Sequence, residues 1–196
     1  SGVPASWFWA RIKKRSKKLG YPQGGFQSLA EKAVRQIKRS GGVFYFNTSI
    51  NRIARKGKHI SLKTNLGEEL IFDRVICTLP SPLFERMTVG LPSGYRKKLL
   101  GLKGIGAVTL VVSLKENLLK NVYWLNVGGG NYPFLAVVEH TNLISSNNYG
   151  GDKIVYIGNY LDAGHKYFEL AGEELLREFI SHLKFVNPKF RRSWVK

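Results

Sequence analysis

The residues able to do chemistry are few and far apart. The four histidines, His59, His140, His165 and His182, are scattered along the chain, and Cys77 is its one cysteine. Metal sites need clustered His, Cys, Asp or Glu, and no such cluster is spelled out. Glu139 and His140 are adjacent in a run that reads as a strand, so their side chains should point to opposite faces. Cys77 sits in "RVICTLP", an apolar strand-like context where cysteine reads as a small buried hydrophobe, not a nucleophile. No G-x-S-x-G elbow occurs. Three glycine-rich stretches invite comparison with phosphate loops, and none fits. "GGGNYP" lacks Lys-Ser/Thr and leads into no helix; "GLKGIG" lies between a helix and a strand, the wrong order; "GYPQGGF" opens a helix but follows no strand. The expectation is no catalytic residue, no metal and no complete dinucleotide-binding unit.

The elements that must position any site follow from periodicity. "WFWARIKKRSKK" (7–18) reads as a basic amphipathic helix suited to an anionic membrane, or as a solvated helix end with packed aromatics. Phe26, Leu29, Ala33, Val34 and Ile37 form a helical stripe, with Gly41 and Gly42 as its stop, both expected at positive φ. A ribbon of about four strands is predicted over 43–80: "VFYFN" (43–47), a hairpin about Gly57, a turn at "NLGEE" (65–69), and "LIFDRVICTLP" (70–80). Short helices are predicted at 81–87 and 92–102. Strands are predicted at 106–116, 122–128, 133–143 and 152–161. Alternation in the third puts Phe134, Ala136, Val138 and His140 on one face and Leu135, Val137, Glu139 and Thr141 on the other. Tyr156 and Tyr160 share a face of the fourth. The helix at 168–186 turns Leu170, Leu175, Leu176, Phe179, Ile180 and Leu183 inward. The fold class is α+β: a mixed, largely antiparallel sheet with flanking helices, plus a β-ribbon.

Charge is the compositional outlier, with 31 Lys+Arg against 13 Asp+Glu and a net +18 over 196 residues. That bias implies an anionic partner, or an acidic part of a longer protein. The basic residues are spread over the chain and form no helix-turn-helix, zinc-finger or RNP pattern, which argues against nucleic acid. The lone cysteine fits a reducing cytosol, and no apolar run is long enough to span a bilayer. The chain begins without Met and is expected to be a segment cut from a longer one.

Residues 20–84 carry an ordered set of motifs: Gly24, Gly25, Phe26 and Leu29; Gly41 and Gly42; Asn47, Ile50 and Ile53; Thr64, Gly67 and Glu68; Asp73, Val75, Ile76 and Pro80. This order resembles the FAD-dependent amine oxidase, protoporphyrinogen oxidase and phytoene desaturase superfamily, and the likeness extends over about residues 16–196. The resemblance implies a substrate-binding domain, comprising an entry segment (1–42), a ribbon belonging to the FAD half (43–80) and the substrate sheet with its helices (81–196). It implies FAD, bound mainly by parts absent from this sequence, with Ile50, Leu79 and Pro80 beside it. Tyr21, Gly24 and Gly25 would border the substrate cavity, and Glu139, His140 and Tyr160 are candidate substrate contacts from the sheet. The activity implied is hydride transfer from a C–N or C–C bond to flavin, with the fragment itself inactive and its partners a small apolar substrate and the remaining FAD domain. Its location would be cytoplasmic, peripheral to the inner face of a membrane through residues 7–18. The alternatives are a nucleotide-sugar mutase-like flavin domain, which needs a basic diphosphate pocket, and a non-enzymatic basic nucleic-acid-binding module.

Overall fold

The computed structural model describes residues 5–14, 18–128 and 130–196. Part of the basic run predicted within 7–18, residues 15–17, lies outside the described residues. The chain divides into two units, 1–48 and 49–196.

Among its described residues the first unit holds two helices. Helix α1 (Ala5–Lys13) exposes Phe8, Trp9 and Ile12, which lie on one arc of the helix. Helix α2 (Gly25–Arg39) has the predicted apolar stripe and buries no residue: Phe26, Leu29 and Ile37 are all exposed. The two glycine pairs around α2 differ physically. Gly24 and Gly25 both have left-handed φ, 78° and 79°, a conformation costly for any residue with a Cβ. Of the exit pair only Gly41 has positive φ (84°), which corrects the expectation for Gly42. Gly42 is instead required by space, since a Cβ there would sit 2.4 Å from Ile37 Cγ2 and 3.1 Å from the Ile37 carbonyl.

The second unit holds two antiparallel sheets, so the class is α+β as expected. The first sheet has three strands, not four: β1 (Ile50–Lys56), β2 (His59–Thr64) and β3 (Glu69–Phe72), in that order. Residues 43–47 form no strand; Phe44 and Phe46 stack on each other at 5.6 Å, and Asn47 takes a positive φ. The strand predicted over 70–80 stops at Phe72 because its partner runs out. Phe72 pairs with Ile60, the next position of β2 is its first residue, His59, and His59 Nδ1 meets Asp73 Oδ1 at 2.8 Å instead. Cys77 is consequently exposed, contrary to the buried role predicted for it. Helices α3 (Ser81–Met87) and α4 (Ser93–Leu100) follow as predicted, each with proline at its N-cap. The segment after α3 anchors to the sheet, where the Val89 N–H donates to the Ile53 carbonyl at 2.9 Å.

The second sheet is built from β4 (Ile105–Leu114), β5 (Trp124–Asn126), β6 (Ala136–Glu139) and β7 (Lys153–Asp162), in the order β4-β7-β6-β5. Helix α5 (Gly172–Val186) covers one face, burying Leu175, Leu176, Phe179 and Leu183 against Val108, Leu110, Val112, Val137, Val155 and Ile157. Each such side chain contributes about 1.5–3 kcal/mol by leaving water. Strand β6 is shorter than predicted and breaks the alternation expected of 133–143. Phe134 lies before the paired segment and turns into the core against Phe179, with ring centroids 5.6 Å apart, on the same side as Val137. His140 begins a 3-10 turn, His140–Asn142, rather than continuing the strand.

Candidate functional site

With α5 on one face of the second sheet, its other face is left for something else. Register places four residues side by side across it: Val111 of β4, Tyr156 of β7, Val138 of β6 and Trp124 of β5. Val138, flanked by Tyr156 and Trp124, is buried, whereas Trp124 is 52% and Val111 54% exposed. The next row is Thr109, Gly158, Ala136 and Asn126, and beyond it come Ala107 and Tyr160, the latter 67% exposed. Two ridges bearing aromatic rings therefore flank a row of small residues, a trough whose floor at Gly158 is bare backbone. Among the described residues at these positions none is Lys or Arg, although the chain as a whole carries +18. Such a face suits a flat, apolar, uncharged ligand stacked between rings.

The residues singled out from sequence fall into distinct settings. Tyr160 and Tyr156 share the exposed face, with Gly158 between them. His140 is buried behind Tyr156, their rings edge-to-face at 5.8 Å, and its Nε2 lies 2.6 Å from the Tyr149 hydroxyl. Burial pushes the His140 pKa down, favouring the neutral ring. Glu139 points to the opposite side, as adjacency predicted, and is fully buried. Its carboxylate accepts from the Leu119 backbone N–H and, at 2.5 Å, from Asn117 Nδ2. Asn142 adds bonds from its Nδ2 to the Leu119 carbonyl and, at 2.9 Å, to the Val122 carbonyl. Glu139 thus fastens the 117–122 loop to β6. Burial pushes its pKa up against the opposing pull of those donors.

Ile50 opens β1, half-buried, opposite Thr64. Leu79 and Pro80 are exposed at the N-terminus of α3. They close an apolar stretch in which Ile76 is 92% exposed. Tyr21, in the other unit, packs edge-on to Phe26 at 5.2 Å, next to the left-handed Gly24-Gly25 pair. Trp124, Gly158, Thr109 and Val111 were not among the residues sequence reasoning selected. For the last three the signal was the alternation in "VTLVVSL" and "IVYIGNYL", and for Trp124 the short run "VYWLNVG"; these assign faces but not which strands are neighbours. No group of three metal-ligating side chains occurs among the described residues.

An α+β chain with one sheet face packed on a helix and the other left uncovered by it is the class of domain these features define. The chain belongs to the flavin containing amine oxidoreductase family, whose model matches residues 5–193. No curated protein matches its sequence significantly. Among solved structures, a proposed protoporphyrinogen oxidase from Exiguobacterium sp. 255-15 is similar at 15% identity and TM-score 0.69, over 86% of this chain and 36% of that one. A reduced UDP-galactopyranose mutase is similar at 17% identity and TM-score 0.68, over 93% and 42%. A putrescine oxidase variant is similar at 15% identity and TM-score 0.60, over 82% and 35%. At these identities the likeness is one of fold, and the chain spans less than half the length of those proteins.

Proposed function

We propose that this chain is the substrate-binding part of an FAD-dependent oxidoreductase acting on an apolar C–N or C–C bond, with the exposed face of the second sheet as one wall of the chamber. The observation that carries the reading is the trough, aromatic on its flanks and without a cation in a chain of net charge +18. A nucleotide-sugar substrate would call for Lys or Arg there to meet its diphosphate, so the mutase reading is disfavoured. When bound, the flavin supplies the hydride acceptor, so the chain itself need offer no general acid or base. Tyr156, Trp124 and Tyr160 would bind and orient the substrate and exclude water. Neutral His140, tied to Tyr149, would hold Tyr156 from behind as a positioning residue. Glu139, with its carboxylate committed to the 117–119 segment, serves the frame and does not meet the substrate.

The residues present fit the border of a flavin rather than its phosphates. The 75–79 stretch presents exposed apolar side chains beside Leu79 and Pro80, while no helix of the described residues opens on a glycine loop that follows a strand. Ile50, Leu79 and Pro80 are assigned to that border. The chain alone is expected to be inactive. In the full protein, a flavin absorbance should bleach anaerobically with an apolar amine or a desaturable hydrocarbon. A full protein that retains no flavin would sink the proposal, and turnover of a nucleotide sugar without bleaching would favour the mutase.

Contact with an anionic bilayer at the inner face of the membrane belongs to the same proposal. Its support is the exposed Phe8, Trp9 and Ile12 of α1 beside Lys13 and Lys14. No helix among the described residues is long and apolar enough to cross a membrane. Binding to phosphatidylglycerol vesicles should weaken with salt and fall about tenfold in Phe8→Asp/Ile12→Asp, since each change removes buried apolar area and adds repulsion. Vesicle binding unchanged by that pair would remove α1 from the account.

A further inference from the structure

The three-stranded sheet is tied along its β1 edge to the segment after α3, through the Ile53 backbone, and one of its faces carries a hollow of about 290 Å³. Alternation and register put Arg52, Ala54 and Lys56 of β1, Ser61 and Lys63 of β2, and Glu69 of β3 around it, and Arg55, whose Nε donates to the Gly57 carbonyl at 3.1 Å, also lines it. Two of these residues are in an unfavourable arrangement. Arg52 and Lys63 are direct cross-strand partners, just after the register shift that separates Ile50 from Arg52. Like charges directly opposite on an antiparallel pair repel at about 5 Å between Cβ atoms. Glu69, the one carboxylate lining the hollow, stands opposite Lys63 on β3 and eases its charge through space, but it makes no ion pair with Lys63 or Arg52. Glu69 accepts from Ser61 Oγ at 2.6 Å and from Lys56 Nζ at 3.0 Å, which together hold its carboxyl below the usual range. Among the described residues, Arg52 and Lys63 have no ion-pair partner.

We infer that this hollow binds a phosphoryl group or a similar tetrahedral dianion, held between the Arg52 guanidinium and the Lys63 ammonium. An anion there turns two repelling cations into two partners of one charge. Arginine contributes a planar fork of donors and lysine a point charge, a pairing suited to phosphate oxygens. The Lys56–Glu69–Ser61 set forms the floor, where Glu69 is already neutralised and hydrogen-bonded and so repels an incoming anion less than a free carboxylate would. The strands fix the spacing of the two cations before the anion arrives. This inference does not depend on the flavin reading.

The same chemistry could be offered by a free phosphate compound or by a lipid headgroup, and the test separates them. Inorganic pyrophosphate is titrated calorimetrically into the full chain at low salt, and phosphatidylglycerol vesicles are titrated in parallel. Three proteins are compared: wild type, the stem-preserving pair Arg52→Gln/Lys63→Gln, and a control, Lys97→Ala/Lys98→Ala, that removes the same charge from α4. Circular dichroism confirms that each is folded. Pyrophosphate binding weakened about tenfold or more in the ribbon pair alone supports the site with a free phosphate ligand. Vesicle binding weakened in the ribbon pair alone, with pyrophosphate silent, supports it with a headgroup. Equal losses in ribbon pair and control would reduce the effect to net charge, and no loss in either arm would show that Arg52 and Lys63 hold no anion; both results overturn the inference.

Discussion

Glu139→Leu is expected to destabilise the protein by about 2–4 kcal/mol, because a leucine of nearly the same size leaves a buried donor with nothing to bind. The Leu119 N–H and the Asn117 amide both donate to this carboxylate; when it is lost the Leu119 N–H has no other acceptor, and Asn117 keeps only its longer bond to Asn142 Oδ1 at 3.3 Å. The measurement is the denaturant midpoint, with an unchanged slope expected if the fold is kept. Glu139→Gln should cost less, since its amide oxygen still accepts from Leu119 and Asn117 can turn its own oxygen toward the new NH2. The pair also fixes a pH signature. Burial raises the Glu139 pKa, so the folded protein takes up this proton at a higher pH than the unfolded chain does. The contribution of this group to stability therefore increases as pH falls from the raised pKa toward the ordinary carboxylate value, and is lost as pH rises again. Wild type should gain on Glu139→Gln over that interval. A constant difference between the two would show that Glu139 titrates as an ordinary carboxyl.

Gly158→Leu is expected to lower kcat/KM of the full enzyme about 100-fold, or about 2.7 kcal/mol, while leaving flavin content and stability close to wild type. A Cβ at this position would meet the Val108 carbonyl at 3.5 Å and Thr109 Oγ1 at 3.6 Å, both ordinary contacts, and Gly158 lies in strand geometry with no need of positive φ. The new side chain therefore stands up from the floor of the trough between Tyr156 and Tyr160 and occupies the space proposed for substrate. A graded series, Gly158→Ala, Gly158→Val and Gly158→Leu, should lose activity in order of volume. Full activity in Gly158→Leu would place the substrate elsewhere.

Much of this frame was readable from the sequence where a pattern is long. Helix α5 shows its buried face in the spacing of Leu175, Leu176, Phe179 and Leu183, and β4 and β7 show theirs by alternation over ten residues each. Short elements were less legible for identifiable reasons. Alternation holds only while a partner strand enforces the pleat, so Phe134, two residues before β6, was assigned to the wrong side. Cys77 lies in an apolar run that reads as a buried strand, yet the length of β2 decides where β3 can end. The apolar stripe of α2 was correctly placed, but periodicity identifies an apolar face without naming what covers it. The trough needed the strand order. Trp124, Val138 and Tyr156 come from successive strands, but Val111 comes from β4, which pairs with β7 across the intervening β5 and β6 in sequence, and no local pattern brings the four into one row.

The early end of β3 has a practical side. It leaves the chain's one thiol outside any sheet, exposed, three positions before Pro80. Alkylation at Cys77 is thus a reporter already built into the chain, positioned on the border assigned to the cofactor. Its labelling rate in the full protein, with flavin retained and with flavin stripped, reads whether that border is covered, without any engineered residue and without turnover.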